Sequence, residues 1–82
     1  MGWPKGRATP YTEAGIKRMK CIRCGEPASA QWQICADGNR YRPLCKPCDI
    51  GLNAMVLTYM HDTEVSAKLN RYNDEAYAEE EV

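Results

Sequence analysis
The chain of 82 residues has no phenylalanine, a single histidine and no apolar run longer than the four residues 54–57. A run that short excludes a membrane-spanning helix, which needs about 20 apolar residues. The solitary His61 has no second histidine or carboxylate at ligand spacing, so it reads as a residue at the end of a helix. No Ser-His pairing, phosphate loop or open three-ligand metal site is present, so the reading is non-enzymatic, with no small-molecule substrate. Net charge is absent too, because 11 Lys and Arg balance 11 Asp and Glu. Hydrophobic residues make up 44% and the mean hydropathy is −0.61. A chain this small buries only about 60% of its unfolded surface. It needs a staple: a disulfide, a metal or a partner. Trp3, Pro4, Lys5, Gly6 and Arg7 interrupt any secretory-type apolar stretch, so the expected compartment is cytoplasmic and reducing. There, paired cysteines read as metal ligands before disulfides.

The balanced total hides an uneven distribution. Residues 1–25 carry Lys5, Arg7, Lys17, Arg18, Lys20 and Arg23 against Glu13, a formal +5. Residues 26–61 are neutral, and residues 62–82 carry seven acids against Lys68 and Arg71, a formal −5. A basic arm on a neutral core fits contact with nucleic-acid phosphates. The plainer alternative is that the two ends attract each other or stay solvated.

The periodicities divide the chain into three segments. Residues 1–19 form a basic arm. Its first part, 1–11, holds two Pro and two Gly and is expected to be flexible, with a short helix capped by Thr12 after it. Residues 20–61 hold the cysteines, a hairpin and a helix. Trp32 and Ile34 alternate with Gln31, Gln33 and Cys35 as a strand does. Ala36-Asp37-Gly38-Asn39 is a turn, and Arg40 to Leu44 is the return strand. Pro43 lacks an amide proton and restricts that strand to an edge. Leu52, Met55, Val56 and Tyr59 then recur at helical spacing, predicting a helix over 47–60. Residues 62–82 hold a second helix over 63–78, begun by Asp62 or Thr63, and an acidic tail. Its narrow stripe of Val65, Leu69 and Tyr72 suits helix-on-helix association with a protein partner or a second copy.

The strongest signal is Cys21-x-x-Cys24-Gly25 followed by Cys45-x-x-Cys48. Two residues between cysteines let the backbone turn both sulfurs toward one point. Gly25 can take the left-handed conformation that such a knuckle needs. Pro47 suits a first helical turn, and Cys48 would sit at the positive end of the helix dipole. Four thiolates select one structural zinc ion, ahead of an iron or iron–sulfur site and of disulfides. Cys35 is the odd thiol. It reads as a half-buried small hydrophobe, with an exchanging ligand or a redox-sensitive thiol as alternatives.

A zinc knuckle, a hairpin and a second knuckle opening a helix resemble the treble-clef arrangement. The spacing resembles the zinc domain of ClpX-type unfoldases and the zinc modules of McsA-type adaptors. The stretch from Gly38 to Asn53, with Arg42-Pro43-Leu44-Cys45-Lys46-Pro47-Cys48-Asp49 at its centre, is similar to endonuclease VII-like His-Me finger nucleases of phages. In those enzymes an Asp-His pair precedes the hairpin turn, and the histidine activates water. Here that stretch reads Gln33-Ile34-Cys35-Ala36-Asp37-Gly38 and has no histidine. The resemblance thus implies a degenerate phage-type module acting in the host cytoplasm, non-catalytic in the first reading, with a residual His-Me finger nuclease as the last alternative. Pro4-Lys5-Gly6 and the Thr12-to-Met19 segment also resemble small DNA-contacting motifs attached to phage nucleases.

The expected fold is a small α+β treble clef with Trp32, Ile34, Leu44, Leu52, Val56 and Tyr59 in its core, followed by an amphipathic helix. The expected metal ligands are Cys21, Cys24, Cys45 and Cys48. The expected nucleic-acid surface is Lys5, Arg7, Lys17, Arg18, Lys20, Arg23, Arg40 and Arg42, with Trp3, Tyr11 and Tyr41 available to stack on bases.

Overall fold
The computed structural model describes residues 9–78. Lys5, Arg7 and Trp3 lie outside the described residues. The elements run α1 (Glu13–Lys17), β1 (Ala30–Ile34), a 3₁₀ turn (Cys35–Asp37), β2 (Arg40–Leu44), α2 (Lys46–Tyr59) and α3 (Val65–Ala76). This is a small α+β chain with one two-stranded antiparallel sheet. It divides into two compact units whose boundary, Asp49 to Ile50, falls inside α2.

In the first unit, α1 starts where the Thr12 hydroxyl accepts the Gly15 amide at 3.0 Å. Glu13 occupies the first turn, which favours an acid, and Ile16 is buried. Just before α1, the side-chain amide of Gln31 grips the backbone of Tyr11. Its Oε1 accepts from Tyr11 N at 2.9 Å and its Nε2 donates to Tyr11 O at 2.8 Å. The expected flexible stretch 1–11 is therefore corrected at its end, because both backbone groups of Tyr11 are tied to β1.

The hairpin register pairs Ala30 with Leu44, Trp32 with Arg42 and Ile34 with Arg40. The expected turn closes through the 3₁₀ segment, with Gly38 at φ 70° and Asn39 at φ 63°. Glycine takes that conformation at little steric cost, and asparagine tolerates it better than most residues. Pro43 stands in a two-stranded ribbon where its missing donor costs nothing, and its carbonyl accepts the Ile22 amide at 3.0 Å.

The buried apolar residues of this unit are Ile16, Cys21, Ala28, Pro43, Leu44 and Cys45. Two of these six are cysteines, so the thiols stand where larger side chains usually fill a core. Of the residues expected there, Leu44 is buried and Trp32 is half-buried, whereas Ile34 is exposed. Ile34 is the last residue of β1, beside the turn, where little chain remains to cover it. Cys35 is exposed, not half-buried, because the strand ends at Ile34 and the thiol begins the turn.

The second unit holds the rest of α2 and α3. Leu52 is half-buried, but Val56 and Tyr59 are exposed, Tyr59 to 86%. Periodicity alone made these core residues. A helix of 14 residues is about 21 Å long, and a unit this small cannot cover every apolar position along it. Helix α2 ends as the sequence implied. His61 takes φ 60°, its amide donates to Thr58 O, and the Asp62 amide donates to Leu57 O, each at 3.0 Å. This is a Schellman end with histidine in the place usually held by glycine. His61→Gly should raise the stability of the protein by about 0.5–1 kcal/mol, read from denaturant midpoints, because it removes the left-handed strain. Asp62 accepts the Glu64 amide at 2.7 Å and pairs with Lys68, which holds its carboxyl below the usual carboxylate range. On α3, Val65, Leu69 and Tyr72 are half-buried, and the Tyr72 and Tyr77 rings meet edge to face at 6.1 Å.

Candidate metal centre
Each cysteine pair sits on a turn that its own backbone closes. In the first, the Cys21 amide donates to Glu26 O at 2.6 Å and the Gly25 amide donates to Cys21 O at 2.9 Å, with Gly25 at φ 78°. In the second, the Asp49 amide donates to Cys45 O at 2.9 Å, which starts the first turn of α2. The hairpin joins them, since Leu44, the last residue of β2, precedes Cys45 directly.

The Sγ atoms of Cys21, Cys24, Cys45 and Cys48 all lie within 4.8 Å of one another. Cys24 Sγ is 3.2 Å from Cys45 Sγ and 3.8 Å from Cys48 Sγ. Disulfide sulfurs stand about 2.05 Å apart, so these are separate thiols. Sulfurs placed about 2.3 Å from one tetrahedral ion stand roughly 3.8 Å from each other, so the spacing fits a single ion held by four ligands. Cys21 and Cys45 are buried, Cys48 is half-buried and Cys24 is exposed. Each knuckle therefore supplies one inner and one outer sulfur.

The electrostatics explain how the cluster stands ready. Burial pushes the Cys21 thiol up, but the backbone of Cys45, Cys24 and Arg23 donates toward its sulfur and wins, lowering it to about 6. The Cys48 backbone draws Cys45 down, yet burial and hydrogen bonds with the Cys24, Cys48 and Cys21 sulfurs push it up to about 12. Of the two inner sulfurs, Cys21 is thus the more acidic and Cys45 the less acidic.

Two supporting contacts lie beside the ligands. Trp32 Nε1 donates to Asp49 Oδ1 at 2.6 Å, and Asp49 is 1% exposed. Arg23, inside the first knuckle, donates from one guanidinium nitrogen to Cys48 Sγ of the second at 3.7 Å. That bond and the sulfur's charge raise the Arg23 pKa further.

Of the described basic residues expected to meet nucleic acid, Arg23, Arg40 and Arg42 are held by other side chains. Arg40 pairs with Asp37 at 2.8 Å, and Arg42 Nε pairs with its other oxygen. Arg42 and Arg40 together hold the Asp37 carboxyl down at about 2. Trp32 and Ile34 pair with Arg42 and Arg40 across the ribbon, which places both arginines on one face near the turn. Arg23 is engaged by a cysteine. Lys17, Arg18 and Lys20 are exposed, and no ion pair joins their side chains to acids among the described residues. Asp49 and the cross-knuckle contact of Arg23 escaped the sequence reading. The only hint was Asp49 directly after Cys48 and Arg23 between two ligands.

Compared with models of protein families, with curated proteins and with solved structures, the chain matches none. No helix among the described residues is long and apolar enough to cross a membrane.

Proposed function
We propose that the chain is a non-catalytic module of treble-clef type, stapled by one structural zinc ion, that docks on the phosphates of nucleic acid. The convergence of four thiols from two knuckles supports the metal, and four sulfur ligands favour zinc over harder ions. Three solvent-facing cations next to the first knuckle, Lys17, Arg18 and Lys20, support the docking surface. Asp37 would be a weak base, since two arginines hold it ionised near pH 2, which supports a binding role over hydrolysis. Arg40 and Arg42 contribute less to phosphate attraction than their count implies, because Asp37 offsets part of their charge.

Affinity for a labelled 20-base-pair duplex, measured from 25 to 200 mM salt, tests this reading. Three phosphate contacts give a log–log slope of about −2.7. Changing Lys17, Arg18 and Lys20 together to Ala should weaken binding and flatten that slope to near zero. Absence of binding at 25 mM salt, or an unchanged slope in the triple variant, rejects it.

One observation favours a protein partner instead. Met55, Tyr59 and Met60 are 69%, 86% and 66% exposed, and Ala54, Met55, Thr58 and Tyr59 line a shallow apolar groove. In this second reading the partner face is α2, and the half-buried Val65, Leu69 and Tyr72 of α3 serve less. Association that ignores salt and is lost in Tyr59→Asp would select it.

A further inference from the structure
We infer that Arg23 is a positioning residue of the metal centre, closing its solvent-facing flank by bonding the thiolate of the opposite knuckle, and is not a phosphate contact. The inference rests on the metal reading above. The outer sulfurs, Cys24 and Cys48, belong to different knuckles and stand 3.8 Å apart. They are the sulfurs that water, chelators and electrophiles can reach, because Cys21 and Cys45 are buried. Arg23 lies between Cys21 and Cys24 in sequence, yet its guanidinium donates to Cys48. It thereby spans the two knuckles at the edge where the site would open.

The chemistry gives that span a purpose. Four thiolates on one divalent ion carry a net charge of about −2 in a partly buried place, and a guanidinium offsets part of it. An N–H bond to a bound thiolate draws on the lone pair that would otherwise take a proton or attack an electrophile. It also holds Cys48 at its bonding angle when thermal motion would let the outer sulfur leave. Loss of outer partners at metal sites costs about 10–100-fold in affinity. Lysine can supply charge and one donor from that place, but not the planar fork of arginine.

The test uses the full-length zinc-loaded protein and three versions of position 23: wild type, Arg23→Gln and Arg23→Lys. Zinc transfer to a chromogenic chelator should be about tenfold faster or more in Arg23→Gln, with Arg23→Lys between the two. Limited alkylation by iodoacetamide, mapped by mass spectrometry, should reach Cys48 sooner in Arg23→Gln and leave Cys21 and Cys45 as slow as before. With cobalt in place of zinc, the sulfur-to-metal charge-transfer band should move to longer wavelength in Arg23→Gln, because the lone pair is no longer stabilised. A purely structural role would leave that band in place. Zinc released at the wild-type rate, with an unshifted cobalt band, overturns the inference while leaving the zinc site intact. A protein that takes up no metal overturns the zinc reading itself.

Discussion

Removal of the metal, by chelation or by Cys45→Ser, is expected to abolish cooperative folding of the unit that ends at Asp49. The reason lies in what that unit buries. Its apolar interior is Ile16, Cys21, Ala28, Pro43, Leu44 and Cys45, and two of these are candidate ligands. Whole domains net only about 5–15 kcal/mol, and most of that comes from apolar burial. Structural zinc supplies roughly 10–16 kcal/mol of apparent binding energy, which rivals or exceeds that total. Chelated protein should lose its cooperative melt by circular dichroism and its dispersed amide signals, and equimolar zinc should restore both. A preparation free of transition metal with a sharp melt indifferent to EDTA would refute this. The pH dependence has a definite sign. Free cysteine thiols are protonated at neutral pH and a metal takes them as thiolates, so binding must expel protons and apparent affinity falls as pH falls.

The second large effect is expected at Asp49. Its carboxylate is 1% exposed and accepts the Trp32 indole N–H at 2.6 Å. The bond joins the middle of β1 to the first turn of α2, one residue beyond a ligand. A charge-assisted bond of this kind is about twice as strong as a neutral one. Asp49→Ala should destabilise the metal-loaded protein by about 2–3 kcal/mol in guanidinium melts, since it strands the indole donor and leaves a gap. Asp49→Asn keeps an acceptor and should cost less. Trp32→Phe should cost a similar amount by leaving a buried carboxylate without that donor. The double change Trp32→Phe with Asp49→Ala should cost less than the two singles combined, with a coupling of roughly 1 kcal/mol or more. Strict additivity would mean that the bond contributes nothing.

What could be read from the chain beforehand was governed by local rules. Two residues between cysteines, a glycine after the pair and a proline opening a helix are short-range constraints, and the structure brings all four sulfurs together. The hairpin turn was legible because Gly38 and Asn39 accept positive φ, and the bounds of α2 and α3 differ from expectation by only one or two residues. The misreadings concern burial, which depends on what lies opposite a residue. Periodicity gave Ile34, Val56 and Tyr59 an apolar face but could not say that so small a unit lacks the chain to cover them. The role of basic residues depended on which turns close, over three and five residues for Arg40 and Arg42 and over twenty-five for Arg23. Arg40 and Arg42 meet Asp37 only because the turn brings it back over their face, and Arg23 meets Cys48 only once both knuckles have closed.

The split of the ligand set has a consequence for biosynthesis. The inner sulfurs, Cys21 and Cys45, lie before and after the hairpin in the chain, so a polypeptide growing from its amino terminus cannot enclose an ion until the entire ribbon has been made. Until then the first thiol pair is an open two-point claw with weak grip. Loading of an ion on this cluster would therefore be a late and nearly all-or-none event on the nascent polypeptide, and truncation before Cys48 should yield a fragment without a stable state of its own.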